Sequence, residues 1–130
     1  MSAPSPRPLI LVVDDEHVIA QLIADLLSAE GYQVDTAPDG IAALEQIARR
    51  TYDLILSDLR MPELDGLGLF RALEEKRPEL ARRFVFVTGT SEHSDYRGFV
   101  EDVPAPVLTK PFDMDDLLRV VREMLAVPAP

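Results

Sequence analysis

Cysteine is missing from the 130 residues, so neither disulfides nor thiolate chemistry can operate. Histidine is scarce. The two that occur, His17 and His93, lack a second ligand at metal spacing, and zinc is set aside. Positive charge is also short, with 13 basic against 23 acidic residues and a net charge of -10. Such a chain repels nucleic acid and anionic membranes and favours cations or basic partners. No run of about 18 apolar residues occurs, and no apolar segment of signal type follows "MSAPSPRP", so a cytoplasmic domain is expected. Internal repeats are lacking too. The length suits one domain, and the proline-rich ends bound it: residues 1–8 and 126–130 read as linker or tail, and 9–125 as the folded part.

What is present is an alternation. Short apolar runs, "LILVV" (9–13), "YQVDTA" (32–37), "DLILS" (53–57), "FVFVT" (84–88) and "PVLT" (106–109), are separated by segments of helical period. This pattern predicts an α/β fold, a parallel sheet covered by helices on both faces. Only the second run alternates cleanly, which places it at an edge. In the first helix Val18, Ile19, Leu22, Ile23, Leu26 and Leu27 recur at three-to-four spacing, and Gly31 stops it. The second helix is capped by Asp39, with Ile41, Leu44, Ile47 and Ala48 on one face. A third starts near Gly66, presents Leu67, Phe70 and Leu73, and ends before Pro78. The last is capped by Asp113 and carries Leu117, Leu118, Val121 and Leu125. Between them, 91–103 reads as a short or irregular helix, broken by Gly98 and closed by Pro104.

Parallel connections are right-handed, so all five strands finish at one edge of the sheet, where α/β folds place ligands. The first strand ends in Asp14 and Asp15, the third in Ser57 and Asp58, the fourth in Thr88, the fifth in Thr109 and Lys110. Two carboxylates about 4 Å apart repel by roughly 4 kcal/mol at an effective dielectric near 20. Three ionised together call for a divalent cation. Magnesium suits, because it takes hard oxygen ligands and leaves room for phosphate oxygens, with manganese as the alternative. A lysine and a threonine facing that ion can hold a phosphoryl group, and one aspartate can act as the nucleophile that forms an acyl phosphate.

Taken as a set, "VVDDE", "LILSDLRMPELDG", "FVTG" and "LTKPF" resemble the receiver domain of two-component response regulators, in the right order and each at a strand end. The resemblance implies a flavodoxin-like, doubly wound sheet of order 2-1-3-4-5 with about five helices. It makes Asp58 the phospho-acceptor, with Lys110 pairing with the phosphoryl group and Thr88 swinging its hydroxyl toward it. On the same resemblance, Asp14 and Asp15 would bind magnesium directly or through water, together with Asp58 and the backbone carbonyl of Arg60. Pro111 matches a lysine–proline bond that is cis in the family. The implied partners are a histidine kinase or histidine phosphotransfer domain and an output domain or effector, and the implied role is a switch rather than an enzyme. Two departures stand out. Val107 occupies the position of an aromatic switch three before the lysine, and Arg60 places a long cation two residues after the acceptor, where it would alter dephosphorylation.

Blander readings compete. Asp14, Asp15 or Glu16 can simply cap the helix that follows. Asp58 alone is a turn residue, Thr88 a strand residue, Lys110 a solvated loop charge, and Glu16 and His17 are helix-start surface. Gly66 reads as a turn or helix-entry glycine. Among functions, a magnesium-dependent aspartyl phosphohydrolase would want Asp-x-Asp after the first strand and a cap domain. A flavin or nucleotide module would want a phosphate-cradling loop where "DDEH" stands. A degenerate receiver serving only for docking is kept in view by Val107.

Overall fold

A computed structural model describes residues 7–89, 103–110 and 112–126. The elements follow one another as β1 (Leu9–Val13), α1 (His17–Ala29), β2 (Gln33–Ala37), α2 (Gly40–Arg49), β3 (Leu54–Asp58), α3 (Gly66–Lys76), α4 (Pro78–Ala81), β4 (Phe84–Thr88), β5 (Val107–Thr109) and α5 (Met114–Leu125). All strand pairings are parallel, in the order β2-β1-β3-β4-β5. The expected flavodoxin-like sheet is therefore the one observed, with β2 at an edge.

Strand alternation sorts the apolar residues into two layers. Ile10, Val12, Leu54, Leu56, Val85 and Val87 pack with Ala20, Ile23 and Leu27 of α1 and Leu117, Leu118 and Val121 of α5. Leu9, Leu11, Val13, Ile55, Phe84 and Phe86 face α2 and α3 on the other side. There Phe70 of α3 stands edge-on to Phe84 at 5.3 Å between ring centroids. Because both faces are covered, β1, β3 and β4 are buried throughout, which is why their sequences read as unbroken apolar runs.

The helix ends follow ordinary capping chemistry. The Asp39, Asp65 and Asp113 carboxylates each accept an amide from the first turn of α2, α3 and α5. Gly31, at φ 96°, ends α1 in a left-handed conformation that suits glycine.

Two expectations, the buried faces of α1 and of α2, are corrected. In α1, Val18 and Leu22 are 78% and 54% exposed. The buried stripe is Ala20, Ile23, Ala24 and Leu27, so two alanines hold core positions that hydrophobicity alone awards to larger neighbours. Ile41 and Ala48 of α2 are likewise exposed, and its buried residues are Gly40, Ala43 and Ile47. The third helix ends at Lys76, before Pro78 as expected, and Pro78 then opens the one-turn α4 from the N1 position, where its missing N–H costs nothing. Gly66 is the first residue of α3, the expected helix-entry glycine, and a β-carbon there would overlap the Asp58 carbonyl, so the glycine also serves close approach. The expected helix at 91–103 falls, but for Val103, outside the described residues, as do His93, Gly98 and Pro111.

Candidate functional site

The three central strands carry their ladders to the very residues that the sequence singles out. Asp14 lies one past β1, and its amide still bonds the Ala37 carbonyl of β2 at 3.0 Å. Asp58 is the last residue of β3 and pairs with Val87, one residue before Thr88. Lys110 lies one past β5, with its amide on the Thr88 carbonyl at 2.6 Å. Backbone hydrogen bonds thus deliver these side chains to one edge.

Asp14, Asp58 and Thr88 are 3%, 2% and 0% exposed, and Lys110 leans over the two acids. Its Nζ stands 3.6 Å from Asp14 Oδ2 and 3.7 Å from Asp58 Oδ2. Each carboxylate is also held from its own loop. Asp14 Oδ1 accepts the Glu16 amide at 2.9 Å, and Asp58 Oδ1 accepts the Leu59 amide at 2.8 Å. Burial pushes the Asp14 carboxyl above the ordinary aspartate value, against the opposing pull of the Glu16 amide and the Lys110 ammonium. Its charge is therefore under-compensated by the protein alone.

The tight turn from Asp14 to Glu16 has a second consequence. Carboxylate oxygens of Asp14, Glu16 and Asp58 lie within 4.8 Å of one another. Glu16, read from sequence as helix-start surface, thus stands with the two buried acids, while Asp15 is exposed and outside this trio. Asp15 lines a neighbouring cavity of about 260 Å³ with Asp14, His17 and Pro38. The capping alternative does not describe the cluster, since Glu16 holds the N-cap position of α1 with no side-chain cap bond. The signal for Glu16 was the Asp-x-Glu spacing, which lets the first carboxylate accept the third residue's amide and turn the chain back. Arg60 is exposed in the loop after β3. The Thr88 hydroxyl donates to the Gly89 carbonyl at 3.3 Å, and Val107, at the place of the aromatic, is half-buried against the α2–α3 layer.

A set of hard carboxylate oxygens, two of them from buried residues and one with its ionisation opposed by burial, fits a magnesium ion. Chemically, the arrangement offers a carboxylate nucleophile beside an ammonium that can hold a transferred anion.

Among the described residues, no helix is long and apolar enough to cross a membrane. The family model of the response regulator receiver domain matches residues 10–122. Transcription factor SKN7 of Candida albicans is 32% identical over 98% of this chain, which spans 22% of that protein. Transcriptional regulatory protein DltR of Streptococcus agalactiae is 37% identical over 87% of this chain, which spans 50% of its length. The structure of response regulator TrrA from Thermotoga maritima, solved in complex with Mg(2+)-BeF, superposes with a TM-score of 0.79 at 32% identity, covering 90% of this chain and 98% of that one. With its strand order, its acidic edge and these likenesses, the chain belongs to the receiver domains of two-component response regulators.

Proposed function

We propose that Asp58 is the phospho-acceptor of a cytoplasmic phosphorelay switch, charged by a phosphohistidine on a histidine kinase or a histidine phosphotransfer domain. The supporting observation is the pair of buried carboxylates, Asp14 and Asp58, under a single ammonium at 3.6 and 3.7 Å. An Asp58 carboxylate oxygen attacks phosphorus, the bond from phosphorus to the imidazole nitrogen breaks, and the imidazole, carrying a proton on its other ring nitrogen, leaves neutral with that electron pair. Lys110 holds the transferred phosphoryl oxygens, and the buried Thr88 hydroxyl turns from Gly89 toward them. Asp14, Asp58 and the Arg60 carbonyl would hold magnesium or manganese, with Asp15 or Glu16 acting directly or through water. When bound, the ion supplies positive charge against the phosphoryl oxygens. The new negative charge on Asp58 then shifts the population of the surrounding loops toward a form that an output domain or effector recognises.

The protein assists its own phosphorylation and hydrolysis and turns over no separate substrate. Incubation with a small phosphodonor and magnesium, followed by intact-mass measurement, tests the reading. Wild type should gain one phosphate, and Asp58→Asn or omission of the metal should abolish the gain. Unmodified wild type would leave a docking module, and steady phosphate release over many turnovers would make it a phosphohydrolase. Arg60→Asn should change the half-life of the phosphorylated form, because the guanidinium two residues from the acceptor can shield or engage the phosphoryl group.

A further inference from the structure

Ser57 immediately precedes the acceptor and is fully buried. Its ladder partners are Val13 and Phe86, so its hydroxyl sits in an otherwise apolar layer. A hydroxyl there is costly unless it is hydrogen-bonded. Ser57 Oγ donates to the backbone carbonyl of Asp58 at 2.9 Å. The same carbonyl is backed by Gly66, where even a methyl group would collide with it, and the Gly66 amide in turn bonds the Leu59 carbonyl at 2.8 Å.

That carbonyl and the Leu59 amide belong to one peptide unit, which is planar and turns as a rigid body. Its other end donates from Leu59 N to Asp58 Oδ1 at 2.8 Å. Gripping the carbonyl therefore fixes the amide, and fixing the amide fixes the carboxylate. Oδ2 lies on the Lys110 side, 3.7 Å from Nζ.

We infer that Ser57 is a positioning residue, which by holding the Asp58–Leu59 peptide plane keeps Oδ1 on the Leu59 amide and presents Oδ2 to the incoming phosphorus. Gly66 is the steric half of the same clamp. This rests on Asp58 being the phospho-acceptor.

The test compares wild type with Ser57→Ala and Ser57→Thr, by the rate of phosphate gain from a small phosphodonor in magnesium and by the Leu59 amide resonance in the full chain. Ser57→Ala should slow phosphate gain roughly fivefold, the worth of one neutral hydrogen bond, and should move the Leu59 resonance. Ser57→Thr, which keeps the hydroxyl, should restore both; if its methyl prevents folding, the alanine comparison decides alone. An alanine variant with the wild-type rate overturns the inference while leaving the acceptor reading intact. A slowed variant with an unmoved Leu59 resonance overturns it as well, since the loss would then be general loosening. Wild type that gains no phosphate removes the acceptor reading, and the inference falls with it.

Discussion

Two clusters of partly or wholly buried acid lie at different places on the sheet, one along edge strand β2 and one at the carboxyl ends of β1 and β3, and they are built differently. On edge strand β2, Asp35 Oδ2 accepts both Arg50 Nη1 and the Tyr52 hydroxyl at 2.7 Å, and Gln46 stands 3.2 Å from the same phenol while its amide holds the Thr36 carbonyl. At the carboxyl ends of β1 and β3, Asp14 and Asp58 share one ammonium at 3.6 and 3.7 Å. The first cluster completes its charge balance with direct contacts and is structural. The second gathers acids around a more distant cation, with burial raising the Asp14 carboxyl, and it is the arrangement that the proposed magnesium ion and phosphoryl group would complete. How tightly a buried acid is already satisfied separates structure from site better than burial does.

Removing each cluster's cation gives the largest expected contrast. Lys110→Ala should slow phosphate gain at Asp58 by about a hundredfold or more, as loss of a preorganised charge on a transferred oxyanion does. Arg50→Ala, on an ion pair whose arginine side chain is 50% exposed, should leave the rate unchanged. Equal slowing by both would erase the distinction.

Neutralising each acid should give stability changes of opposite sign, read by urea unfolding without metal. Asp14→Asn relieves repulsion with Asp15 and Glu16 and ends the burial of a charge, and should stabilise by on the order of 1 kcal/mol. Asp35→Asn weakens two short hydrogen bonds and should destabilise by about 1–2 kcal/mol. Magnesium should then stabilise wild type and fail to stabilise Asp14→Asn. The pH dependence follows from the direction of the shift. A carboxyl raised in the folded state contributes stability below its unfolded value of about 3.8, and that stability is lost as pH rises through the folded value. The advantage of Asp14→Asn is therefore full at neutral pH and fades in acid.

The acidic edge was legible in the sequence, because strands end where apolar runs end, whereas the Asp35 cluster, joined across β2 and the chain before β3, was not. Asp14, Asp58, Thr88 and Lys110 each terminate such a run, and a parallel sheet brings run ends to one edge. Asp39 and Asp113 were legible as caps because capping is local. Ser57 was not, since its task depends on which way one peptide plane faces, and a serine inside a strand carries no periodic signal. Glu16 was hidden by its place at a helix start, although a turn two residues long returns it to the acids. The α1 stripe was misjudged because Ala20 and Ala24 face the sheet and bulkier Val18 and Leu22 do not. Close approach there favours small side chains over apolar ones.

The smallest expected effect belongs to the closed cluster alone. Burial, and then the bond to Asp35, raise the Tyr52 phenol above its ordinary value of 10.0, so it stays protonated in the folded chain after an unfolded one would ionise. A raised folded value contributes stability in full below the unfolded value, and that contribution is lost as pH rises through the folded one. Tyr52→Phe removes the bond to Asp35 and should cost about 1 kcal/mol near neutral pH. Above pH 10.0, wild type loses stability through this group and the variant does not, so their unfolding curves should converge. Phosphate gain at Asp58 should be the same in both. Curves that stay parallel through the alkaline range would mean that Tyr52 ionises alike in folded and unfolded chains, and the Asp35 cluster would then be as open as the site it is contrasted with.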